Sequence, residues 1–383
     1  MTSPIHQTKS NKVQEFKPRY PIPEIHSVLP FNENPLHLVD PMDSQFKDWC
    51  FETSLFSRDK FRRIADSTYY AAYFYSFCTD RNRYETLTKS MINIFILDDH
   101  METTWGDINR KEVKAKEIYG QLHEVCDKLS DPGNRSIRMH VWKPYTLGFY
   151  AIYEDVLSVY NDCQRKRCLG FMKEWTDGMI DECVDLEANK RIENLTQYME
   201  VRGRSTAVLF FVQLIEYADN LFVPQAEWDH PKFQRLLELA TYLVALSNEV
   251  YSFEKEVKER DWNMDEVYNM VAFYVRFKGM TVAEAMDSLV TDYLKMEAEI
   301  VALKEEVLIE DWLSPDTRVF VERIILEDNP PKRGCLAALS LCVLYADTYY
   351  TSKKHNFSII TDCGLYVAYV LYPHIQVIRN SKY

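Results

Sequence analysis

The run TVAEAMDSLVTDYLKMEAEIVALKEEV, Thr281 to Val307, decides the fold class. Met286, Leu289, Tyr293, Met296 and Ile300 recur at steps of three and four, the period that lines one face of an α-helix. Thr281 followed by Glu284 forms a capping box, which opens such a helix by satisfying its first free backbone N–H groups. Outward from this run the same period continues back to about Ser44. Its punctuation is that of helices: a turn at Asp131-Pro132-Gly133-Asn134, an N-cap and first-turn proline at Ser314-Pro315, and a stop at Asn329-Pro330-Pro331. No period-2 strand run, Gly-x-Gly-x-x-Gly fingerprint, internal repeat or low-complexity tract interrupts it. The chain has only 10 glycines in 383 residues, against a usual share of about 7%. The expected fold is all-α: a single helical domain of about a dozen helices over residues 45–383. Residues 1–44, polar and broken by prolines (KPRYPIPEIHSVLPFNENP), read as an irregular N-terminal arm.

With 58 acidic against 45 basic residues the formal charge is −13, which argues against non-specific binding to nucleic acid or to an anionic membrane. An anionic substrate would need metal ions or a local Arg/Lys cluster. The nine cysteines are odd in number and dispersed, without a CxxC pair, so they read as reduced thiols of a reducing compartment. The N-terminal residues lack the apolar core of a signal peptide. The longest nearly apolar stretch, Cys335 to Ala346, is too short to span a bilayer. Sequons at Asn134, Asn194 and Asn356 then read as chance matches. The expected location is cytoplasmic, and the oligomeric state, a homodimer included, is left open.

Two polar clusters stand out. In MINIFILDDHMETTWGD, Asp98, Asp99 and Glu102 end an apolar helix. At 100° per residue Glu102 lies about 40° from Asp98 and about 60° from Asp99, so the three carboxylates converge. Carboxylates that close repel unless a cation neutralises them, and oxygen-only ligands suit magnesium. The plain alternative is a solvated helix end, against which stands the greasy run Ile92 to Leu97 just before it. His100 points off that face. In LVALSNEVYSFEKEVKERDW, Asn248, Ser252 and Glu256 recur every fourth residue and stay within about 80° on one face. They offer an amide oxygen, a hydroxyl and a carboxylate. An ordinary solvated stripe is the alternative, but this face continues Thr241, Val244 and Ala245, an odd place for one.

Asp98-Asp99-His100-Met101-Glu102 resembles the aspartate-rich DDxxD/E motif of class I terpene cyclases, and Asn248 to Glu256 resembles their second metal motif, (N/D)(D/E)xxSxxxE, with Lys255 before the final Glu. The two lie in the family's order, about 150 residues apart. Tyr198 to Ala207 is similar to the Y-x-x-x-R…(T/S) segment that carries a diphosphate-sensing arginine. Arg202 stands 46 positions before Asn248, as in microbial-type members. Asn34-Pro35 followed by Trp49, and Tyr268-Asn269-Met270-Val271, also fit. One feature departs: the family's C-terminal Arg-Tyr pair has no match, since the only Arg-Tyr is Arg19-Tyr20 in the arm. Tyr350, with Lys353 or Lys354 for the charge, takes the expected place.

The resemblance implies a helical bundle around an apolar cavity, with three magnesium ions held by Asp98, Asp99 and Glu102 on one side and Asn248, Ser252 and Glu256 on the other. Arg202, Lys255 and Tyr350 would contact the diphosphate of an isoprenyl substrate. Ser205 and Thr206 would trigger ionisation at a helix break, placed near Gly203, Ser205 and Thr206 because all three are poor helix-interior residues. Phe74, Phe77, Phe95 and Phe210 are the candidate cavity residues, their ring faces able to stabilise a carbocation. The expected activity is cyclisation of farnesyl or geranylgeranyl diphosphate. A non-catalytic diphosphate-binding protein and a chain-elongating prenyltransferase are the alternatives; the latter would need a second Asp-rich motif.

Overall fold

The computed structural model describes residues 74–103 and 111–324 continuously, together with scattered positions from Tyr20 to Ala72; at 98–103 it describes the backbone alone. Among the described residues every regular element is helical. The order is α1 (Arg81–Thr103), α2 (Lys111–Ser130), α3 (Pro144–Ser158), α4 (Asp162–Glu187), α5 (Leu195–Ser205), α6 (Val208–Gln213), α7 (Ile215–Asp219), α8 (Gln225–Trp228), α9 (Pro231–Glu259), α10 (Met270–Lys278), α11 (Val282–Leu308) and α12 (Pro315–Ile324), with two short 3₁₀ turns.

The boundaries follow local chemistry. Thr281 Oγ1 accepts the Glu284 N–H at 3.2 Å while the Glu284 carboxylate accepts the Thr281 N–H at 2.8 Å, the capping box expected at the start of α11. Asn161 and Gln164 form the same reciprocal pair at the start of α4. Pro315 opens α12, with Ser314 Oγ accepting the Thr317 N–H. The Asp131 turn closes through the Asn134 N–H on the Asp131 carbonyl at 3.0 Å. The proline stop at 329–331 lies outside the described residues.

Helix α9 is the inner helix: it packs against α5, α6, α10 and α11, while α4 packs against α2, α5 and α6. Burial on several sides explains why Leu236, Leu237, Ala245 and Leu246 of α9 point different ways round the helix and are all buried. Thr241, Val244 and Ala245 are buried as well, so the Asn248–Ser252–Glu256 face continues a buried stripe. An aromatic cluster lies where α3, α4 and α6 meet. Phe210 lies parallel to Trp175 at 6.1 Å, beside Tyr153 at 5.2 Å and Phe211 at 6.0 Å, and Phe211 meets Phe74 edge-on at 6.0 Å.

Where it is described, the N-terminal arm lies against the bundle. The Tyr20 ring sits 5.5 Å from Phe253 and 6.2 Å from Trp262, and the Ile25 N–H donates to Tyr251 Oη at 3.3 Å. Asn34 is buried; its Nδ2 donates to the carbonyls of Tyr75 (2.6 Å) and Cys78 (2.9 Å). Cys50, Cys78, Cys126, Cys163, Cys168 and Cys183 are all free thiols, and all but Cys163 are buried. Among the described residues no helix is long and apolar enough to cross a membrane.

Candidate active site

The site is built where α4, α5, α9 and the start of α10 meet. Near its middle α9 carries Asn248 and Ser252, with Glu256 one turn on; Ser252 is buried, and Asn248 and Glu256 are partly so. Arg202, on the last turn of α5, reaches across to this face. Its Nη2 donates to Asn248 Oδ1 at 2.6 Å, its Nε to Glu249 at 2.8 Å and its Nη1 to Glu182 of α4 at 3.0 Å. Burial works against the arginine's charge, but Glu249 and Glu182 more than offset it, so its proton is held more tightly than usual. Glu249 is almost fully covered: burial pushes its carboxyl up to about 7, against the pull of Arg202 and the Met270 N–H on its second oxygen. Glu256 is raised by desolvation too and accepts from Asn269 Nδ2 at 3.0 Å, which also donates to the Glu249 carbonyl.

The chain breaks just beyond Arg202. Helix α5 runs through Gly203 and Ser205, Thr206 caps it, and Ala207 adopts a left-handed conformation (φ 58°, ψ 10°) before α6 begins. The break therefore falls at Thr206 and Ala207, at the C-terminal end of the stretch that the poor helix formers mark. The physical reason is that Gly203 and Ser205 are supported within the helix. Gly203 sits above Met199 and Thr241, and the Ser205 hydroxyl donates to Glu182. The strain falls on Ala207, a residue type that rarely takes a left-handed backbone.

Three contributors carry no motif signal. Glu182 bonds both Arg202 and Ser205, Ala207 makes the break, and Gly178 lets α4 approach: a Cβ there would stand 2.6 Å from the Ser205 nitrogen and 2.9 Å from Arg204 Cβ. Gly178 is the one signal available in the sequence, because a glycine inside a helix is costly unless something passes close by.

The acidic positions 98, 99 and 102 lie in the last turns of α1, which ends at Thr103. Among the described residues no group of three or more His, Cys, Asp or Glu is placed to hold a metal. The donor set on α9 nevertheless suits a hard cation: Ser252 Oγ is buried without a hydrogen-bond partner, between an amide oxygen and a carboxylate one turn to either side. Lys255 is half-buried beside Glu256. Of the aromatic candidates, Phe74 and Phe210 join the cluster of rings through Phe211, and Phe95 packs on Tyr70 at 4.5 Å. Phe77 lies under the Arg323 guanidinium at 5.0 Å. Tyr350, Lys353 and Lys354 lie outside the described residues.

The fold is that of the class I terpenoid synthases. Germacradien-4-ol synthase from Streptomyces citricolor superposes with a TM-score of 0.64 at 17% identity, over 84% of this chain and 96% of that one. Residues 89–295, more than half of the chain, match terpene synthase family 2, C-terminal metal binding, and the chain belongs to this terpene synthase family as a class I terpene cyclase. The terpene cyclase braA of Annulohypoxylon truncatum is 19% identical over 301 residues, 78% of each chain. Sesquiterpene synthase Agr3 of Cyclocybe aegerita is 30% identical over 116 residues, 29% of this chain and 31% of that one.

Proposed function

We propose that the protein takes a linear isoprenyl diphosphate, ionises it with three magnesium ions and cyclises the carbocation, releasing diphosphate. The observation that carries this reading is the meeting of Arg202 with Asn248, one helical turn from the unpartnered Ser252 hydroxyl. It puts a fixed positive charge and a set of hard oxygen donors at one spot, beside a strained helix break.

In this reading Asn248, Ser252 and Glu256 hold magnesium from one side, and Asp98, with Asp99 and Glu102, from the other. The bound metal supplies Lewis-acid charge to the departing diphosphate. Arg202 stays protonated because two carboxylates face it, and it offers N–H donors where negative charge grows. Lys255 and Tyr350 complete the diphosphate contacts. Asn248 Oδ1, which accepts from Arg202 Nη2, would offer its second lone pair to the metal, keeping the guanidinium beside the ion and its phosphate ligands. Ser205 and Thr206, at the break, would trigger ionisation. Phe74, Phe77, Phe95 and Phe210 would line the substrate cavity, where a ring face is worth about 0.5–2 kcal/mol to a nearby cation. A sesquiterpene synthase among the relatives favours farnesyl over geranylgeranyl diphosphate as substrate. The dispersed free thiols support a cytoplasmic enzyme.

The test is incubation of purified protein with farnesyl or geranylgeranyl diphosphate, with and without magnesium, followed by gas chromatography and mass spectrometry. Cyclic products that require the metal are expected. Longer diphosphates would make it a prenyltransferase, and tight binding without turnover a non-catalytic relative.

A further inference from the structure

We propose that Glu182 is a positioning residue for diphosphate sensing, holding the Arg202 guanidinium and the Ser205 hydroxyl in register just ahead of the helix break; this rests on the function proposed above. One oxygen, Oε1, accepts from both Arg202 Nη1 and Ser205 Oγ. These two groups sit three residues apart at the end of α5, whereas Glu182 comes from α4, so the carboxylate clamps that last turn from outside. Gly178 makes the clamp possible. It lies one turn before Glu182, at the point where any side chain would collide with the Ser205 backbone.

The two carboxylates on Arg202 are not equivalent. Glu249 is fixed: its side chain is 1% exposed, and its second oxygen is tied to the Met270 N–H. Glu182 is 12% exposed, and among the described residues its Oε2 takes no hydrogen bond. An anion approaching Arg202 therefore competes with the looser partner. As Arg202 turns towards it, the shared oxygen is released from the guanidinium and the Ser205 bond is the one that must readjust. Ser205 is two residues from Ala207, whose left-handed backbone already stands away from its preferred region. Glu182 thus sets the resting place of the sensor and links its movement to the break.

The experiment uses the full-length protein and the Glu182→Gln, Glu182→Ala and Arg202→Ala variants. Turnover of farnesyl and geranylgeranyl diphosphate is measured with magnesium, and binding of inorganic diphosphate with magnesium chloride by calorimetry. Glu182→Gln keeps the size and the acceptor oxygen but removes the competing charge. It should bind inorganic diphosphate at least about threefold more tightly while kcat falls about tenfold and acyclic alcohols rise among the products. Tighter binding with slower turnover is a pattern that mere loss of stability does not give. Glu182→Ala removes the clamp and should lose about 100-fold in kcat. Should it fail to fold, the Gln variant decides alone. Unchanged diphosphate affinity, kcat and products in Glu182→Gln would overturn the proposal. Arg202→Ala separates the two readings: if it binds diphosphate and turns over like the parent, the proposed function itself fails; if it loses both while Glu182→Gln is unaffected, only the role of Glu182 does.

Discussion

Two arginine–carboxylate centres lie within the same bundle, and they are finished to different degrees. At the first, Arg167 of α4 grips both oxygens of Glu216 at 2.8 and 2.9 Å. Gln164, Gln213 and the Val223 N–H fill the remaining acceptor sites of that carboxylate, and the guanidinium lies 4.0 Å over the Trp228 ring. At the second, Arg202 divides itself between Glu182, Glu249 and Asn248, the neighbouring Ser252 hydroxyl is unpartnered, and burial pushes the Glu249 carboxyl up to about 7. The Glu216 carboxylate of the first centre is saturated from within the chain and contributes rigidity, although Arg167 Nε and Gln213 Oε1 beside it are buried without partners. At the second, one guanidinium serves two carboxylates and an amide oxygen, and this surplus of oxygen donors suits ligands from outside the chain.

If that contrast is right, the largest effect belongs to the open centre. Asn248→Ala or Asp98→Ala should abolish measurable turnover while helix content and melting temperature stay near those of the parent, as read by product analysis and circular dichroism. A variant cyclising at the parental rate would remove the metal assignment. At the closed centre the sign of the result reverses. Arg167→Ala strands a buried carboxylate and should cost about 3–5 kcal/mol in urea titration, with activity lost only through unfolding. Gly178→Ala tests the join between α4 and α5. Forcing a methyl against the Ser205 nitrogen should cost about 1–3 kcal/mol, and it should depress kcat beyond what stability explains. The smallest effect concerns the break. Ala207→Gly should leave the unfolding free energy unchanged or raise it by up to about 1 kcal/mol, because glycine takes a left-handed backbone freely. Ala245→Gly in the middle of α9 should lose about 1 kcal/mol instead.

What the sequence discloses is local. The Thr281–Glu284 box, the Ser314-Pro315 start and the Asp131 turn are each closed by residues within four positions, so their reading needs no knowledge of packing. Asn248, Ser252 and Glu256 are legible for the same reason, since one helix fixes their shared face. Glu182 is different: on α4 it reads like its solvated neighbours Asp177 and Asp181, and only the approach of α5 gives it a role. Ala207 shows the opposite failure. Its residue type argues for helix, and the tertiary contacts of Ser205 shift the break onto it.

The contact between Ile25 and Tyr251 joins positions 226 residues apart. At ribosomal speeds of about 5–20 residues per second, the N-terminal arm waits roughly ten to forty seconds before its docking partner has even been synthesised. Throughout that interval Tyr20 and Ile25 are without the surface that later covers them, and the helix bearing Asn248 is born before the arm can brace it. The arm can therefore dock only after the helices that precede α9 have been made.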